Sequence, residues 1–232
     1  MLVTDFDGTL APIVADPDTA AALPESLQAL AELASLGLKV VVLSARPTLF
    51  LEAKISLPGL QLLGDNGLEM ASVAEITALK RFNALARDLV KDRPGLRLES
   101  TPASTSVHFR AAPEIGGGLF EDVSSLASSL HLVASRGRMV VEVRPRRGTK
   151  VRALGALIKS LKPTSVIFAG DDEGDRSAFE LLSRFDGAHL AIGILSDETA
   201  SDLFTFCDLV LDGPADLAAF LVEWMDRLGA SL

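Results

Sequence analysis

The sequence predicts an α/β protein, with a parallel sheet flanked by helices and interrupted by an inserted αββαββ block. Short, continuously apolar runs alternate with stretches of helical periodicity, as βα units with buried strands require. From about Val73 to Pro145 the rhythm changes to strands in which apolar and polar residues alternate. Acidic and hydroxyl residues recur where the apolar runs end. The chain has 232 residues, 48% of them apolar, enough for one large domain carrying a smaller one. The expected division is a core of 1–72 and 146–232 and an insert of 73–145.

The first strand is expected at Leu2–Phe6. Leu23, Leu27, Leu30, Ala31 and Leu33 then recur at helical spacing, with Pro24 suited to a first turn. Further core strands are expected at Leu38–Ser44, Leu60–Leu63, Ser165–Ala169, His189–Gly193 and Cys207–Leu211. A closing helix over Pro214–Leu228 would bury Leu217, Phe220, Leu221 and Trp224.

Within the insert, Ile76, Leu79, Phe82, Leu85, Ala86 and Leu89 share one helix face. Leu96–Ser100 and Thr105–Arg110 pair as strands, Leu119–Leu130 forms a second helix, and Leu132–Ser135 with Met139–Arg144 forms a second hairpin. Gly116-Gly117-Gly118 reads as a flexible loop. Alternation puts His108 and Arg110 on one face of their strand, and Glu142 and Arg144 on one face of theirs. Such a face is either an ordinary solvated surface or the side of a lid that meets a polyhydroxylated ligand. His131 and His189 lack polar company and read as structural.

The formal net charge of −9 argues against a nucleic-acid partner, because phosphate backbones recruit clustered Lys and Arg. Cys207 is the only cysteine, which excludes an intrachain disulfide and a cysteine-rich zinc site and makes it a small buried hydrophobe. No apolar stretch reaches the length of a membrane span. The acidic motif follows Met1–Thr4 at once, without the regions of a secretory leader. A cytoplasmic protein without membrane attachment is the expectation.

The chemistry begins at Asp5-Phe6-Asp7-Gly8-Thr9-Leu10, where two carboxylates follow an apolar strand. One can attack a phosphoryl group while the other moves protons, given a metal and a cation to balance charge. Ser44 ends another apolar run. It and the backbone N–H groups of the following turn, from Ala45 on, could bind phosphoryl oxygens, although such a Ser also caps helices. Lys150, in Arg147-Gly148-Thr149-Lys150, marks the return from the insert. Its ammonium could balance a nucleophile's charge, and its surroundings do not make a phosphate-binding P-loop. Asp171, Asp172, Glu173 and Asp175 crowd the end of the Val166–Ala169 run. They are either an acidic first turn of a helix beginning near Arg176 or the oxygen ligands of Mg²⁺.

The ordered set Asp5-Phe6-Asp7-Gly8-Thr9, Ser44, Lys150 and Gly170-Asp171-Asp172 with Asp175 resembles the haloacid dehalogenase (HAD) superfamily of phosphotransferases. Within it, the chain resembles the trehalose-6-phosphate phosphatase family, through Leu10-Ala11-Pro12-Ile13 with Asp16-Pro17, Gly64-Asp65-Asn66-Gly67-Leu68-Glu69, Glu99 ahead of His108-Phe109-Arg110, and Glu142-Val143-Arg144-Pro145. The resemblance covers essentially the whole chain. It implies a Rossmann-like HAD core with a C2B-type cap. Asp5 would be the nucleophile, Asp7 the general acid and base, and Lys150 the charge-balancing cation, with Ser44 and Ala45 at the phosphate. Mg²⁺ would be held by Asp5, the Asp7 carbonyl and Asp171, with Asp172 and Asp175 orienting waters or Lys150. Glu99, His108, Arg110, Glu142 and Arg144 would contact the sugar.

Four positions depart from the family pattern: Ala45 replaces Gly, Asn66 replaces His, Thr101 stands where a cap Lys is expected, and Arg176 stands where an acid is typical. The implied function is Mg²⁺-dependent hydrolysis of trehalose 6-phosphate through an aspartyl-phosphate, alongside a trehalose-phosphate synthase (a glycosyltransferase) in the same pathway. Two alternatives stand beside it. One is a phosphatase for another sugar phosphate or phosphorylated metabolite. The other is a catalytically silent sugar-phosphate-binding module.

Overall fold

A computed structural model of the chain describes residues 1–68, 73–101, 104–137, 139–145, 149–196 and 202–230. In chain order the elements are β1 (Leu2–Thr4), α1 (Pro24–Ser35), β2 (Val40–Leu43), α2 (Thr48–Lys54) and β3 (Leu60–Leu63). They continue with α3 (Val73–Lys91), β4 (Arg97–Ser100), β5 (Thr105–His108), α4 (Gly116–Ser129), β6 (Leu132–Gly137) and β7 (Val140–Pro145). The chain closes with α5 (Lys150–Leu161), β8 (Ser165–Gly170), α6 (Glu173–Leu182), β9 (Ala188–Leu195), β10 (Leu209–Asp212) and α7 (Gly213–Gly229). They fall into two compact units, Met1–Glu69 with Lys150–Leu232, and Met70–Thr149. Of the residues singled out in the sequence, Glu69, Arg147 and Gly148 lie outside the described residues.

The first unit is built on a six-stranded sheet ordered β10-β9-β8-β1-β2-β3, every pairing parallel. Strands buried on both faces need unbroken apolar sequence, which Val40–Leu43 supplies with every residue buried. On one face, Leu30 and Leu33 of α1 and Leu217 and Leu221 of α7 pack with Leu2, Val42, Ile192 and Ile194. Phe179 of α6 meets Phe168 of β8 edge to face, with ring centroids 5.4 Å apart. The strand order reverses around β1, which lies between β2 and β8. Ligands of open α/β sheets bind outside the carboxyl ends of strands at such a reversal.

The second unit is a four-stranded antiparallel sheet ordered β4-β5-β7-β6. Leu79, Phe82 and Ala86 of α3 and Leu119, Val123 and Ala127 of α4 pack with Val107, Val141 and Val143 on one of its faces. The alternation read in the sequence thus has a physical cause, since successive side chains of a strand point to opposite faces. Glu99, Ser106 and Glu142 lie in register across neighbouring strands, as do Arg97 and His108. Among the described residues, no helix is long and apolar enough to cross a membrane.

Several expectations are corrected. Gly116-Gly117-Gly118 forms the first turn of α4 and is not a loop. A Cβ at Gly116 would overlap the Phe109 ring, so a residue without a side chain lets the helix start against it. β5 ends at His108, and Arg110 lies exposed in a turn, because the Ala112 N–H folds back onto the Phe109 carbonyl at 2.9 Å. Arg110 therefore does not share His108's strand face. α6 begins at Glu173, ahead of Arg176. α2 was not anticipated, because seven residues after a Pro give too little periodicity to read. Cys207 is half-buried, not buried, and its thiol is pushed up to about 12, mainly by burial.

Phe168 is fully buried against Phe179. Replacing it by Ala removes a ring whose neighbours, held by the sheet, relax only in part. Phe168→Ala is expected to destabilise the protein by about 3–5 kcal/mol, read from the shift of the chemical denaturation midpoint.

Candidate active site

Four segments meet where strands of the parallel sheet end. Asp5 follows β1, and its N–H donates to the Ala169 carbonyl of β8 at 2.9 Å. The chain then turns sharply, the Leu10 and Ala11 N–H groups both donating to the Phe6 carbonyl. Gly8 makes this turn possible. Its φ is +70°, and a Cβ there would overlap the Asp171 carboxylate. Ser44 follows β2, Asp171 follows β8, and Lys150 is the first residue of α5.

Lys150 is the centre of the site. Its side chain is 3% exposed, and its Nζ lies 2.6 Å from Asp5 Oδ2, 2.8 Å from Asp175 Oδ1 and 3.6 Å from Asp172 Oδ1. A cation at a helix N-terminus opposes the helix dipole, and burial adds a desolvation cost. Burial would lower the lysine's pKa, but Asp5, Asp175 and Asp172 outweigh it and hold the ammonium well above its ordinary value. Asp175 is fully buried, and its other oxygen accepts the N–H groups of Asp171 and Asp172 at 3.1 and 3.2 Å. A Cβ at Gly170 would overlap Asp175, so the strand end must be glycine for this carboxylate to enter.

The carboxylates outnumber their cation. Burial pushes Asp5 up to about 6, against the opposing pull of Lys150. Asp171 is pushed up to about 7, again mainly by burial, although it accepts the Thr9 hydroxyl at 2.9 Å. Asp5, Asp171 and Asp175 each present an oxygen within 4.8 Å of the others. A buried, all-oxygen donor set with excess negative charge suits a hard divalent cation. The oxygens of Asp175 already serve Lys150 and the backbone, so Asp5 and Asp171 are the carboxylates best able to take one. Asp172, the N-cap of α6, has its side chain 59% exposed.

Asp7, which lines the same cleft as Asp5 and Lys150, pairs with Arg46. Arg46 Nε donates to its Oδ2 at 2.7 Å and Arg46 Nη2 to its Oδ1 at 2.8 Å, a two-pronged pair. Sequence reasoning assigned Arg46 no role. Its only sequence signal was its place two residues after the strand-end serine. Ser44 is buried and its Oγ accepts the Arg46 N–H at 3.2 Å; the neighbouring Ala45 is exposed. Asp65, Asn66 and Gly67 all have positive φ, and the first two donate their N–H groups to the Arg46 and Ser44 carbonyls. Asp and Asn tolerate this backbone better than most residues. Asp5, Asp7, Ser44, Ala45, Arg46, Lys150, Asp171 and Asp172 line one cleft of about 330 Å³ together with Ile13, Val14 and Pro17.

In the second unit, His108 Nε2 and Glu99 Oε2 are 3.0 Å apart, and Arg97 reaches the same carboxylate oxygen at 3.2 Å. Arg144 lies 3.8 Å from Glu142. Thr101 ties the turn between β4 and β5, its N–H donating to the Ser104 carbonyl at 2.9 Å. His131 and His189 are both exposed. His131 sits at a positive φ after α4, and His189 Nδ1 lies 3.1 Å from the Gly187 carbonyl.

The chain matches the family described as Trehalose-phosphatase over residues 3–204. A trehalose-phosphate phosphatase of Mycobacterium tuberculosis is 32% identical over 246 aligned residues, covering 98% of this chain and 61% of the relative. One from Mycobacterium marinum is 31% identical, covering 97% and 62%. The chain thus spans about three-fifths of the length of these relatives. The trehalose-6-phosphate phosphatase of Aspergillus fumigatus superposes with a TM-score of 0.77 at 21% identity, covering 97% of this chain and 92% of that one. The C-terminal domain of the Candida albicans trehalose synthase regulatory protein gives 0.66 at 16% identity, covering 95% and 92%. The fold is therefore shared with a trehalose-6-phosphate phosphatase and with the C-terminal domain of a trehalose synthase regulatory protein.

The raised values of Asp5 and Asp171 set a pH dependence. A carboxyl whose folded pKa exceeds its unfolded one binds its proton more tightly when folded. Its stabilising contribution is complete below about pH 4 and is lost as pH rises through about 6 and 7. In the presence of chelator, the melting temperature is expected to fall from pH 5 to pH 8. Asp171→Asn keeps an acceptor for Thr9 and should be more stable than the wild type at pH 8 by about 1–2 kcal/mol, with no advantage at pH 4.

Proposed function

The chain belongs to the trehalose-phosphatase family, and we propose that it is a Mg²⁺-dependent phosphoric monoester hydrolase whose substrate is trehalose 6-phosphate. The observation that carries this reading is Lys150, buried between Asp5 and Asp175 at the edge of an open cleft. A purely structural site has no need for an ion cluster this costly beside solvent.

Asp5 is the nucleophile. One of its carboxylate oxygens attacks phosphorus, the bond from phosphorus to the sugar oxygen breaks, and the leaving oxygen takes its proton from Asp7. Asp7 then removes a proton from water, whose oxygen attacks the aspartyl-phosphate. Phosphate leaves and the Asp5 carboxylate is restored. Lys150 favours the ionised, attacking form of Asp5, and Asp175 keeps the ammonium in place. Ser44 and the backbone after it at Ala45 hold phosphoryl oxygens. Asp5, the Asp7 carbonyl, Asp171 and Asp172 would hold Mg²⁺, which when bound would neutralise phosphoryl charge.

In the second unit, Glu99, His108, Glu142 and Arg144 select the sugar. Thr101 favours a second reading of substrate choice. Where the family pattern has a cationic side chain, this chain has a hydroxyl that accepts the Ser104 N–H, so a different sugar phosphate or phosphorylated metabolite is the alternative substrate. A glycosyltransferase of the trehalose-phosphate synthase kind would supply the substrate in the first case.

Phosphate release is to be measured on a panel of sugar phosphates. Trehalose 6-phosphate is expected to give the highest kcat/KM, and chelator should abolish turnover until Mg²⁺ is restored. Asp5→Asn is expected to lose at least about 10³-fold in kcat. Turnover that survives either change would refute the mechanism. Sugar-phosphate binding without release would identify a silent binding module.

A further inference from the structure

Arg46 joins Asp7 to the aromatic packing beneath the site. Its guanidinium carbon lies 4.6 Å from the centroid of the Phe50 ring on α2. Phe50 in turn meets Phe6 edge to face, with centroids 5.9 Å apart and planes at 85°. Phe6 is fully buried and stands between Asp5 and Asp7 in the chain. A closed circuit results: Phe6 supports Phe50, Phe50 supports the Arg46 guanidinium, and Arg46 grips both oxygens of Asp7. The backbone of Arg46 is also fixed, its N–H by Ser44 and its carbonyl by Asp65.

A carboxylate 36% exposed at a cleft could turn freely about its side-chain bonds. Two parallel N–H donors in the plane of a guanidinium remove that freedom, and the aromatic face beneath removes the guanidinium's own. We propose that Arg46, held by Phe50, is a positioning residue for Asp7: when substrate binds, Asp7 carries its proton on one oxygen, which it gives to the leaving oxygen, while its other oxygen still accepts from the Arg46 guanidinium and keeps the side chain in place. The proposal rests on the phosphatase reading above. Arg46 then contributes through Asp7 and through the geometry of its fork. A positive charge aimed at the phosphoryl group would serve binding, and that role is distinguishable.

The distinguishing measurement is leaving-group dependence. A sugar oxygen leaves as an alkoxide and needs a proton, whereas p-nitrophenolate is stable without one. The first irreversible step, breaking the ester, governs kcat/KM for both. If Arg46 serves Asp7, its loss should penalise the sugar ester selectively. The ratio of kcat/KM for the best sugar phosphate of the panel to that for p-nitrophenyl phosphate is expected to fall by about 30- to 100-fold in Arg46→Gln. Arg46→Lys keeps the charge and loses the fork, and should not restore the ratio. Phe50→Leu leaves both charged groups intact and should lower the ratio by a smaller factor, about 3- to 10-fold. It carries the test alone if Arg46→Gln does not fold. An unchanged ratio with equal losses on both esters, or full rescue by Lys, overturns the proposal while leaving the phosphatase reading intact. A wild-type protein that hydrolyses neither ester overturns both.

Discussion

The rest of the structure depends on keeping one ammonium ion out of water. Lys150 stands where the helix dipole opposes a cation and solvent scarcely reaches it, so carboxylates must reach it from two directions. Asp5 arrives from the end of β1 and Asp175 from the first turn of α6, which places β1 beside β8 and α5 beside α6. The glycines are consequences of that crowding. A side chain at residue 8 would displace Asp171, and one at residue 170 would displace Asp175. The apolar strands secure the arrangement from below, as the direct bond from the Asp5 N–H to Ala169 illustrates.

The same cluster sets stability against activity. Three buried carboxylates and one ammonium leave excess negative charge, and burial holds Asp5 and Asp171 above their ordinary range. A protein selected only for stability would protonate or replace Asp171. Retaining it makes sense where a divalent cation restores the balance, since binding to the folded state alone stabilises that state.

Much of this was legible in the sequence because the relevant signals are local. Unbroken apolar runs marked the parallel strands, and Leu60–Leu63 matches its observed span. Alternation marked the antiparallel insert, and acidic and hydroxyl residues at the ends of the apolar runs marked the site. What escaped was long-range or very short. Arg46 and Asp7 are far apart in sequence, and nothing in either segment announces the pairing. Gly116-Gly117-Gly118 carries poor helix propensity, which the packing of α4 overrides. Arg110 looks like the next polar residue of a strand, yet the ladder ends at His108. The roles of Asp172 and Asp175 could not be separated in sequence. The structure differentiates their surroundings, with Asp175 enclosed between Lys150 and two backbone N–H groups and Asp172 largely in solvent.

The fold is shared with a phosphatase and with a domain of a trehalose synthase regulatory protein, and architecture alone does not decide activity. The decision lies in whether the costly groups are kept and held. A domain that only bound sugar phosphates would need cationic and hydrogen-bonding groups for the anion, such as Ser44, Arg46 and Lys150. It would gain nothing from a buried carboxylate aimed at the cleft, because that carboxylate repels the phosphate it is meant to hold. Asp5 is such a group, buried, paired with Lys150 and lining the cleft. Its presence makes sense when the phosphoryl group is to be transferred, since the repulsion in the bound state is relieved as the new bond to phosphorus forms.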